Sequence, residues 1–264
     1  MYLSKSGYVQ VWSCPKGAWI NKYHPGMIET SEDAKARIEA GHMVGELAKG
    51  MFGPFVDVTV MREDGSQDRS AMIRRTQEEM ARGTPVICEA AFSYGGLYCA
   101  VDLLRKTGNG WALFEVKSTN GLKDSYVADV SYQKYVLENC GISLTGVYLV
   151  CVNNTYILGA DGVVDPEKYF QIIDLWDEAS QAQADTVPAV LRTAERILEC
   201  ADEPSMELAE ACISCDCFHH CFRSLPEPCV FDLYRLNKAK MIICESSRRE
   251  KMFSDSKKTP ILGL

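Results

Sequence analysis

The sequence has no apolar stretch long enough to cross a membrane. Among its 264 residues no window of about 18 positions is wholly apolar, and the first residues contain no apolar core of signal-peptide length. We therefore expect a cytoplasmic protein without a membrane partner. Internal repeats and low-complexity segments are also missing. With 47% hydrophobic and 24% charged residues the composition is that of a globular protein, long enough for one large domain or one domain with an appendage.

Positive charge is also in short supply, with 28 Lys and Arg against 36 Asp and Glu and a formal net charge of -8. A protein that coats duplex DNA needs a broad basic face, so this class is disfavoured. An enzyme that holds a short strand in a local cleft remains compatible with the charge. Five arginines could form such a local patch, although each could equally lie on a solvated helix face. They are Arg62, Arg69, Arg74, Arg75 and Arg82.

Cysteine, by contrast, is abundant, with 12 residues. Disulfides are rare in the cytoplasm, so clustered cysteines indicate a metal centre. Cys212 and Cys215 are separated by two residues and can bind one centre, which Cys221 would close. Spacing alone does not distinguish zinc from an iron–sulfur cluster. Three neighbouring residues could compete as ligands: Cys217, His219 and His220.

The other cysteines lie in apolar surroundings and are expected to be small structural residues. Cys229, in PEPCVFDLYRL, is expected to be structural. Six are expected in the core: Cys88, Cys99, Cys140, Cys151, Cys200 and Cys244.

Hydrophobic periodicity predicts helices on both sides of a group of strands. Capping and stop signals predict helices that start at Pro15, at Ser31 and at residue 69, the last one ended by Gly83. Further helices are predicted at 122–140, 174–200 and 231–252. Strands are predicted at 85–92, 96–105, 111–118 and 144–153, with a short partner strand at 155–158. This order predicts an α/β fold with a mixed central sheet flanked by helices, and a helical carboxy-terminal arm that carries the cysteines.

Acidic and basic side chains converge on the hairpin formed by the second and third strands. Asp102 faces Glu115 if the turn centres on Gly108-Asn109, and faces Lys117 if it centres one residue later; both registers place the three side chains on one face. Val101, Leu103, Phe114 and Val116 would then point into the core.

Two facing carboxylates about 5 Å apart repel each other by about 3 kcal/mol at a dielectric near 20. A divalent cation bound to these hard oxygen ligands, Mg²⁺ or Mn²⁺, would offset that repulsion. The competing interpretation is an exposed hairpin with a Glu–Lys pair. The otherwise apolar strand around Asp102 weighs against it, because an unpaired acid there is costly.

The order Asp, hairpin, Glu-x-Lys resembles the signature of the PD-(D/E)XK nucleases, and the surrounding residues are similar to their RecB-like branch. The resemblance implies a restriction-endonuclease-like fold, His42 as a metal ligand beside Asp102, Glu115 and the Val116 carbonyl, and catalytic roles for Lys117, Glu89 and Gln133. Where the branch often has a Tyr four residues after the Gln, this sequence has Leu137, with Tyr135 nearer. Asp129, one turn before Gln133, is a further candidate.

The cysteines extend the resemblance to the CRISPR-associated and AddB-type members, in which one amino-terminal and three carboxy-terminal cysteines hold a [4Fe–4S] cluster. It implies Cys14, Cys212, Cys215 and Cys221 as the ligands, with zinc as the alternative. Residues 1–221 would form the nuclease domain, and 222–264 a helical extension of unknown purpose.

The function implied is hydrolysis of DNA, as an exonuclease acting on single-stranded or free-ended substrate in repair or recombination, with a helicase or recombination protein as a candidate partner. Tyr94, Tyr98 and Tyr126 could stack on bases. The alternative from another class is a non-catalytic, metal-stapled module that binds nucleic acid or a partner protein. Divalent-ion binding at the carboxylate hairpin discriminates between the two.

Overall fold

A mixed β-sheet organises the residues that the computed structural model describes, which are 1–28, 32–205, 212 and 215–223. Its strands are β1 (Leu3–Ser4), β2 (Val56–Asp57), β3 (Val86–Tyr94), β4 (Leu97–Lys106), β5 (Trp111–Lys117), β6 (Leu144–Val152) and β7 (Phe170–Asp174). The strand order is β2-β3-β4-β5-β6-β7, and β1 pairs with β4. β3, β4 and β5 form an antiparallel meander, β6 is parallel to β5, and β7 is antiparallel to β6.

Helices cover both faces of this sheet. They are α1 (Lys5–Ser13), α2 (Pro15–Tyr23), α3 (Glu32–Lys49), α4 (Arg69–Arg82), α5 (Asp124–Asn139), α6 (Pro166–Tyr169), α7 (Trp176–Leu198) and α8 (Phe218–Phe222). α1, α5 and α7 share one apolar core, which includes Tyr8, Tyr132 and Val187. On the opposite face Ala48 of α3 packs with Phe114, and Met72 of α4 packs with Ala91. The predicted mixed α/β architecture is confirmed.

The predicted helix and strand ends coincide with local capping and turn signals. The side chain of Asp68 accepts a hydrogen bond from the Ala71 N–H at the start of α4. Gly83 ends that helix in a left-handed conformation, with φ of 79°, and Gly141 has the same φ after α5. α2 begins at Pro15, with the Cys14 sulfur accepting from the Gly17 N–H. No described helix is long and apolar enough to cross a membrane.

The predictions for residues 155–158 and for Cys200 are wrong. Residues 155–158 do not form a strand: they belong to a loop in which Ile157 is 86% exposed. β6 pairs instead with β7, which follows the short helix α6. Phe170 of β7 packs into the core with Val150, whereas Ile157 and Leu158 are exposed. Cys200 is exposed rather than in the core. It lies just beyond the end of α7, and its carbonyl accepts a hydrogen bond from the Trp19 indole.

The remaining cysteine and helix predictions divide between described and undescribed residues. Cys88, Cys99 and Cys151 are buried as expected, and Cys140 is half-buried. The predicted cap Ser31, the helix at 231–252, Cys229 and Cys244 lie outside the described residues, as does nearly all of the proposed extension at 222–264.

Candidate active site

Two strands pair with the same edge of β4, and both end beside Asp102. β3 occupies one edge of β4. Along the other edge, β1 pairs with Leu97 and Tyr98, and β5 pairs from Leu103 onwards. β1 is parallel to β4 and β5 is antiparallel to it, so both run towards Asp102. The sheet therefore has a gap at Asp102, into which the residues after β1 and the end of β5 project.

The hairpin adopts the first of the two predicted registers. Leu103 pairs with Phe114, so the next position in line brings Asp102 to Glu115. The N–H of Val116 donates to the Asp102 Oδ2 at 2.7 Å. This bond fixes the Asp102 carboxylate against the end of β5, and it satisfies a backbone donor that has lost its strand partner.

In both β3 and β4 the regular alternation of side chains between the two sheet faces is interrupted, at Glu89 and at Asp102. Cys88 pairs with Leu103 and Ala90 pairs with Val101, while the intervening pair is missing from the ladder. Glu89 has φ of 56°, the one positive value among the described non-glycine residues. Val101 consequently packs in the α1–α5 core while Leu103, Phe114 and Val116 pack on the opposite face. The prediction that Val101 shares their face is therefore wrong.

Lys5 supplies positive charge at this gap, and no motif in the sequence predicts that role. It is the first residue of α1, directly after β1. Its Nζ lies 3.2 and 3.0 Å from the two carboxylate oxygens of Glu115, and 3.6 Å from the Asp102 Oδ1. The side chain is only 20% exposed.

A second lysine and two α5 residues complete the network. The Lys117 Nζ donates to the Glu115 Oε1 at 2.5 Å and to the Asp129 Oδ2 at 2.8 Å. The Gln133 amide donates to the Glu115 Oε2 at 2.7 Å and to the Asp129 Oδ1 at 2.9 Å. Asp129 and Gln133 are one helical turn apart, so both face β5. Glu115 is thus bonded to both lysines and to Gln133.

The two strand carboxylates have opposite pKa shifts. For Glu115, burial would raise the pKa, but Lys117 and Lys5 outweigh it and hold the pKa well below its usual range. For Asp102, burial and the nearby Glu115 raise the pKa to about 6. Burial, followed by the charge of Asp102, raises the pKa of Glu89 to about 7. Strongly shifted carboxyl groups in one cluster are typical of catalytic or metal-binding sites.

The lysine ammonium groups are correspondingly stabilised in the charged form. Burial alone would lower the pKa of Lys5, but Asp102, Glu115 and Asp129 together raise it well above its usual value. The same competition between burial and neighbouring acids raises the pKa of Lys117.

Two buried polar atoms beside this network have no hydrogen-bond partner among the described residues. They are the Tyr8 hydroxyl, on α1, and the Gln133 Oε1. Buried polar groups are nearly always bonded, so unpaired atoms in a cluster of charges indicate room for a water or a bound group. Tyr8 stacks on Tyr132 at 4.5 Å between ring centroids, which fixes its position.

His42 and Tyr135 are not part of this network. His42 is exposed on α3, and α3 packs on the sheet face that carries Phe114 rather than the one that carries Glu115. The hydrogen bonds and ion pairs that the described residues make with Asp102 and Glu115 do not include it. Tyr135 packs against the apolar core. The metal-binding role of His42 remains a prediction from the resemblance.

The aromatic and basic residues expected along a DNA path are spread around the site. Tyr126 lies beside it, with the Lys117 Nζ 5.4 Å from its ring centroid, whereas Tyr94 is exposed at the β3–β4 turn and Tyr98 is buried. Arg75 donates to the main-chain carbonyls of residues 57 and 59, and Arg82 pairs with Glu79. The other arginines are exposed: Arg62, Arg69 and Arg74.

A second candidate centre lies where the chain's early and late segments meet. One small cavity is lined by cysteines from both: Cys14, Cys212, Cys215, Cys217 and Cys221. Lys16, Phe218 and Phe222 complete the lining. The N–H of Cys217 points to the Cys215 sulfur at 3.4 Å. Glu203 links the two segments, because it pairs with Lys16 at 2.7 Å and with His220 at 3.0 Å.

Neither cluster is arranged as a ready metal site within the part of the chain that the structure describes, where no three His, Cys, Asp or Glu residues form a metal-binding group. In the first cluster the lysine ammonium groups lie between the carboxylates. None of the ten described cysteines forms a disulfide.

Comparison with known proteins gives only weak similarities. The chain matches no family model, and no curated protein sequence matches it. A protein from Eubacterium rectale with a provisional exonuclease assignment is 16% identical with a TM-score of 0.46, over 86% of this chain and 90% of that one. The complex of LHK-Exo with dAMP is 14% identical with a TM-score of 0.39, over 75% and 90%. SSO0001 is 12% identical with a TM-score of 0.40, over 86% of both chains. Similarities of this size do not assign the chain to a family.

Proposed function

We propose that this chain is a divalent-metal-dependent nuclease that hydrolyses phosphodiester bonds in DNA. The observation that carries the proposal is the convergence of Asp102, Glu115 and Lys117 at the gap in the sheet, with Asp129 and Gln133 behind them. Glu115 and Asp129 are buried and Asp102 is partly buried, and acids in such positions require a positive charge beside them.

The donor set suits a hard cation. Asp102 and Glu115 offer carboxylate oxygens, the Val116 carbonyl is adjacent, and Mg²⁺ or Mn²⁺ prefers such oxygen ligands. The position already favours positive charge, because the Lys5 ammonium lies between the two carboxylates. The unpaired Tyr8 hydroxyl and Gln133 Oε1 are further polar groups beside it. A cation bound there would acidify a water and neutralise charge on the phosphate.

Lys117, Gln133 and Glu89 have separate roles in the proposed reaction. Lys117 is held by Glu115 and Asp129, so its ammonium can orient the attacking water and stabilise negative charge on the phosphate. Gln133 positions Glu115 through its amide. Glu89, with a pKa near 7, can exchange a proton at neutral pH, which is what a general acid or base requires.

The substrate that we propose is single-stranded or free-ended DNA, cleaved as an exonuclease in repair or recombination, with a helicase or recombination protein as partner. This rests on the resemblance of the Asp–hairpin–Glu-x-Lys arrangement and its flanking residues to the RecB-like nucleases. The acidic net charge is consistent with a local cleft rather than a broad DNA-binding face.

The test is a nuclease assay on single-stranded and duplex DNA with Mg²⁺ or Mn²⁺. Asp102→Ala and Lys117→Ala should abolish cleavage while circular dichroism shows retained secondary structure. Lys168→Ala is the matched control, since Lys168 is 76% exposed and pairs only with the nearby Asp165 among the described residues. Full cleavage by either site variant would assign the activity to another protein or another site.

We further propose a [4Fe–4S] cluster at Cys14, Cys212, Cys215 and Cys221, with zinc as the alternative. What supports it is the set of thiols around one cavity, drawn from segments about two hundred residues apart. A bound cluster would join these segments and add directly to folding stability. Purification without oxygen, followed by iron analysis and an absorption spectrum, distinguishes iron–sulfur from zinc.

One observation favours the alternative, a non-catalytic metal-stapled module. Lys5 and Lys117 already neutralise much of the charge of the carboxylates, so the cluster could be a structural ion network. Titration with Mn²⁺ decides between the two: a catalytic centre binds the ion at the hairpin, and Asp102→Ala removes that binding.

A further inference from the structure

A cavity of about 530 Å³ lies at the other end of β4, beside β1 and the start of α4. Its volume falls in the range of about 300–1,000 Å³ that is usual for small-ligand sites. Arg62 and Arg69, Tyr2 and Tyr98 contribute to its walls, and serines with one glutamine provide further hydrogen-bonding groups.

The charge of the cavity is opposite to that of the chain. Two arginines line it and none of its described lining residues is acidic, whereas the chain has a formal charge of -8. The Arg62 guanidinium lies 3.6 Å from Asp68, but its side chain is 53% exposed. An exposed pair of this kind is weak, so Arg62 can turn to an anion in the cavity. Phosphate is an anion that arginine binds well.

The aromatic rings form a platform of the kind on which a base stacks. The Arg69 guanidinium lies 5.2 Å from the Tyr2 ring centroid and 5.1 Å from that of Tyr98. The two rings are 6.5 Å apart and inclined by 29°. Tyr98 is 6% exposed, so it is a fixed wall, while Tyr2 is 53% exposed and accessible from solvent. Flat π-surfaces beside arginines bind single-stranded nucleic acid with little sequence preference.

The cavity lies along the strand that carries Asp102, on the sheet face that α4 covers. Ser4 pairs with Tyr98, and Asp102 follows four residues along β4, about 13 Å away at the usual rise per residue. Nucleotides in a strand are spaced by about 3.4 Å or more, so a few of them span this separation. From the cavity's charge, its exposed ring and its position we infer that it binds one nucleotide unit of the substrate strand, with the base on Tyr2 and the phosphate on the arginines. This inference takes the class of substrate from the proposed nuclease function.

The test measures binding without cleavage. Fluorescence anisotropy of a labelled oligothymidine is recorded in EDTA for the wild type and for Arg69→Ala and Tyr2→Ala, both at exposed positions. Each variant should weaken binding about tenfold, since one base–aromatic stack accounts for at least about a fivefold change. Arg192→Ala removes the same charge at an exposed position of α7 outside the cavity, and Tyr2→Phe keeps the ring on which a base would stack. Both controls should stay within about twofold of the wild type.

Thymidine 5′-monophosphate provides the second measurement, because it should displace the labelled strand from the wild type but not from Arg69→Ala. Equal weakening by Arg69→Ala and Arg192→Ala would mean general charge attraction and overturn the inference. Equal displacement of the labelled strand from the wild type and from Arg69→Ala would also overturn it. Because EDTA excludes metal-dependent cleavage, this result is independent of the nuclease assay, where failure of the proposed activity would appear as undiminished cleavage by Lys117→Ala.

Discussion

Replacing Lys5 by Met tests the charge balance of the candidate active site most directly. The change keeps the length of the side chain and removes an ammonium group that lies 3.0 Å from Glu115 and 3.6 Å from Asp102. Removing one partner of a buried ion pair costs about 3–5 kcal/mol of unfolding free energy. Lys117 still pairs with Glu115 in the variant, so we expect a loss near 3 kcal/mol. For a chain of this size that lowers the Tm by about 6–12 °C.

The assay is thermal unfolding, followed by circular dichroism in EDTA and again with Mn²⁺. If the cation site exists, Mn²⁺ can occupy the position between the carboxylates more easily when the ammonium is absent. At about 100 times its dissociation constant a bound ion adds about 2.7 kcal/mol, which would restore most of the lost stability. Mn²⁺ should therefore raise the Tm of Lys5→Met by several degrees more than that of the wild type.

Lys134→Met is the matched control. Lys134 is also buried and pairs with Glu138 at 2.8 Å, but it makes no described contact with Asp102 or Glu115. The Tm of Lys134→Met should fall, and Mn²⁺ should raise it by no more than it raises the Tm of the wild type. A Tm for Lys5→Met within a degree of the wild type would refute the ion network. An equal response of both variants to Mn²⁺ would refute a cation site at the carboxylates.

Three further changes have outcomes that follow from local geometry. Cys14→Ala should give insoluble or colourless protein, whereas Cys200→Ala, which changes an exposed thiol, should not. Soluble, brown and folded Cys14→Ala protein would exclude Cys14 as a ligand. Glu89→Gly should raise the free energy of unfolding in urea by about 1 kcal/mol, because glycine adopts the observed φ of 56° without strain. A lower free energy of unfolding would show that contacts of the Glu89 side chain stabilise the fold by more than the backbone strain destabilises it. Gly96→Ala should destabilise the protein by more than Gly95→Ala, since both have positive φ but only Gly96 would bring its Cβ against a backbone carbonyl; equal denaturation midpoints would contradict this.

The hairpin at the site was predictable because its signals are local. Glycine-rich turns and alternating apolar residues define β4 and β5, and both predicted registers keep Asp102, Glu115 and Lys117 on one face. The following helix then brings Gln133 over the same strand, since a parallel crossover from β5 to β6 leaves α5 on one face. These features depend on residues close in sequence.

The role of Lys5 and the backbone conformation of Glu89 could not be predicted from the sequence, for two different reasons. Lys5 reaches the carboxylates because a two-residue strand, Leu3–Ser4, pairs with residues almost a hundred positions later. A strand of that length has no periodicity to detect. The strand of Glu89 reads as plain alternation, whereas its backbone takes a left-handed conformation there and both strands change faces. That conformation is imposed by tertiary packing rather than by the residue itself.

The pairing of β1 with β4 also determines an order of assembly. Leu3 pairs with Leu97, and its carbonyl accepts a hydrogen bond from the Tyr132 hydroxyl at 2.6 Å. Leu3 therefore cannot make both contacts until residue 132 has been made, a delay of roughly ten seconds at typical elongation rates. During that interval Asp102 has no Lys5 beside it, and the acids of the nascent hairpin must be kept apart by solvent or by dissolved ions.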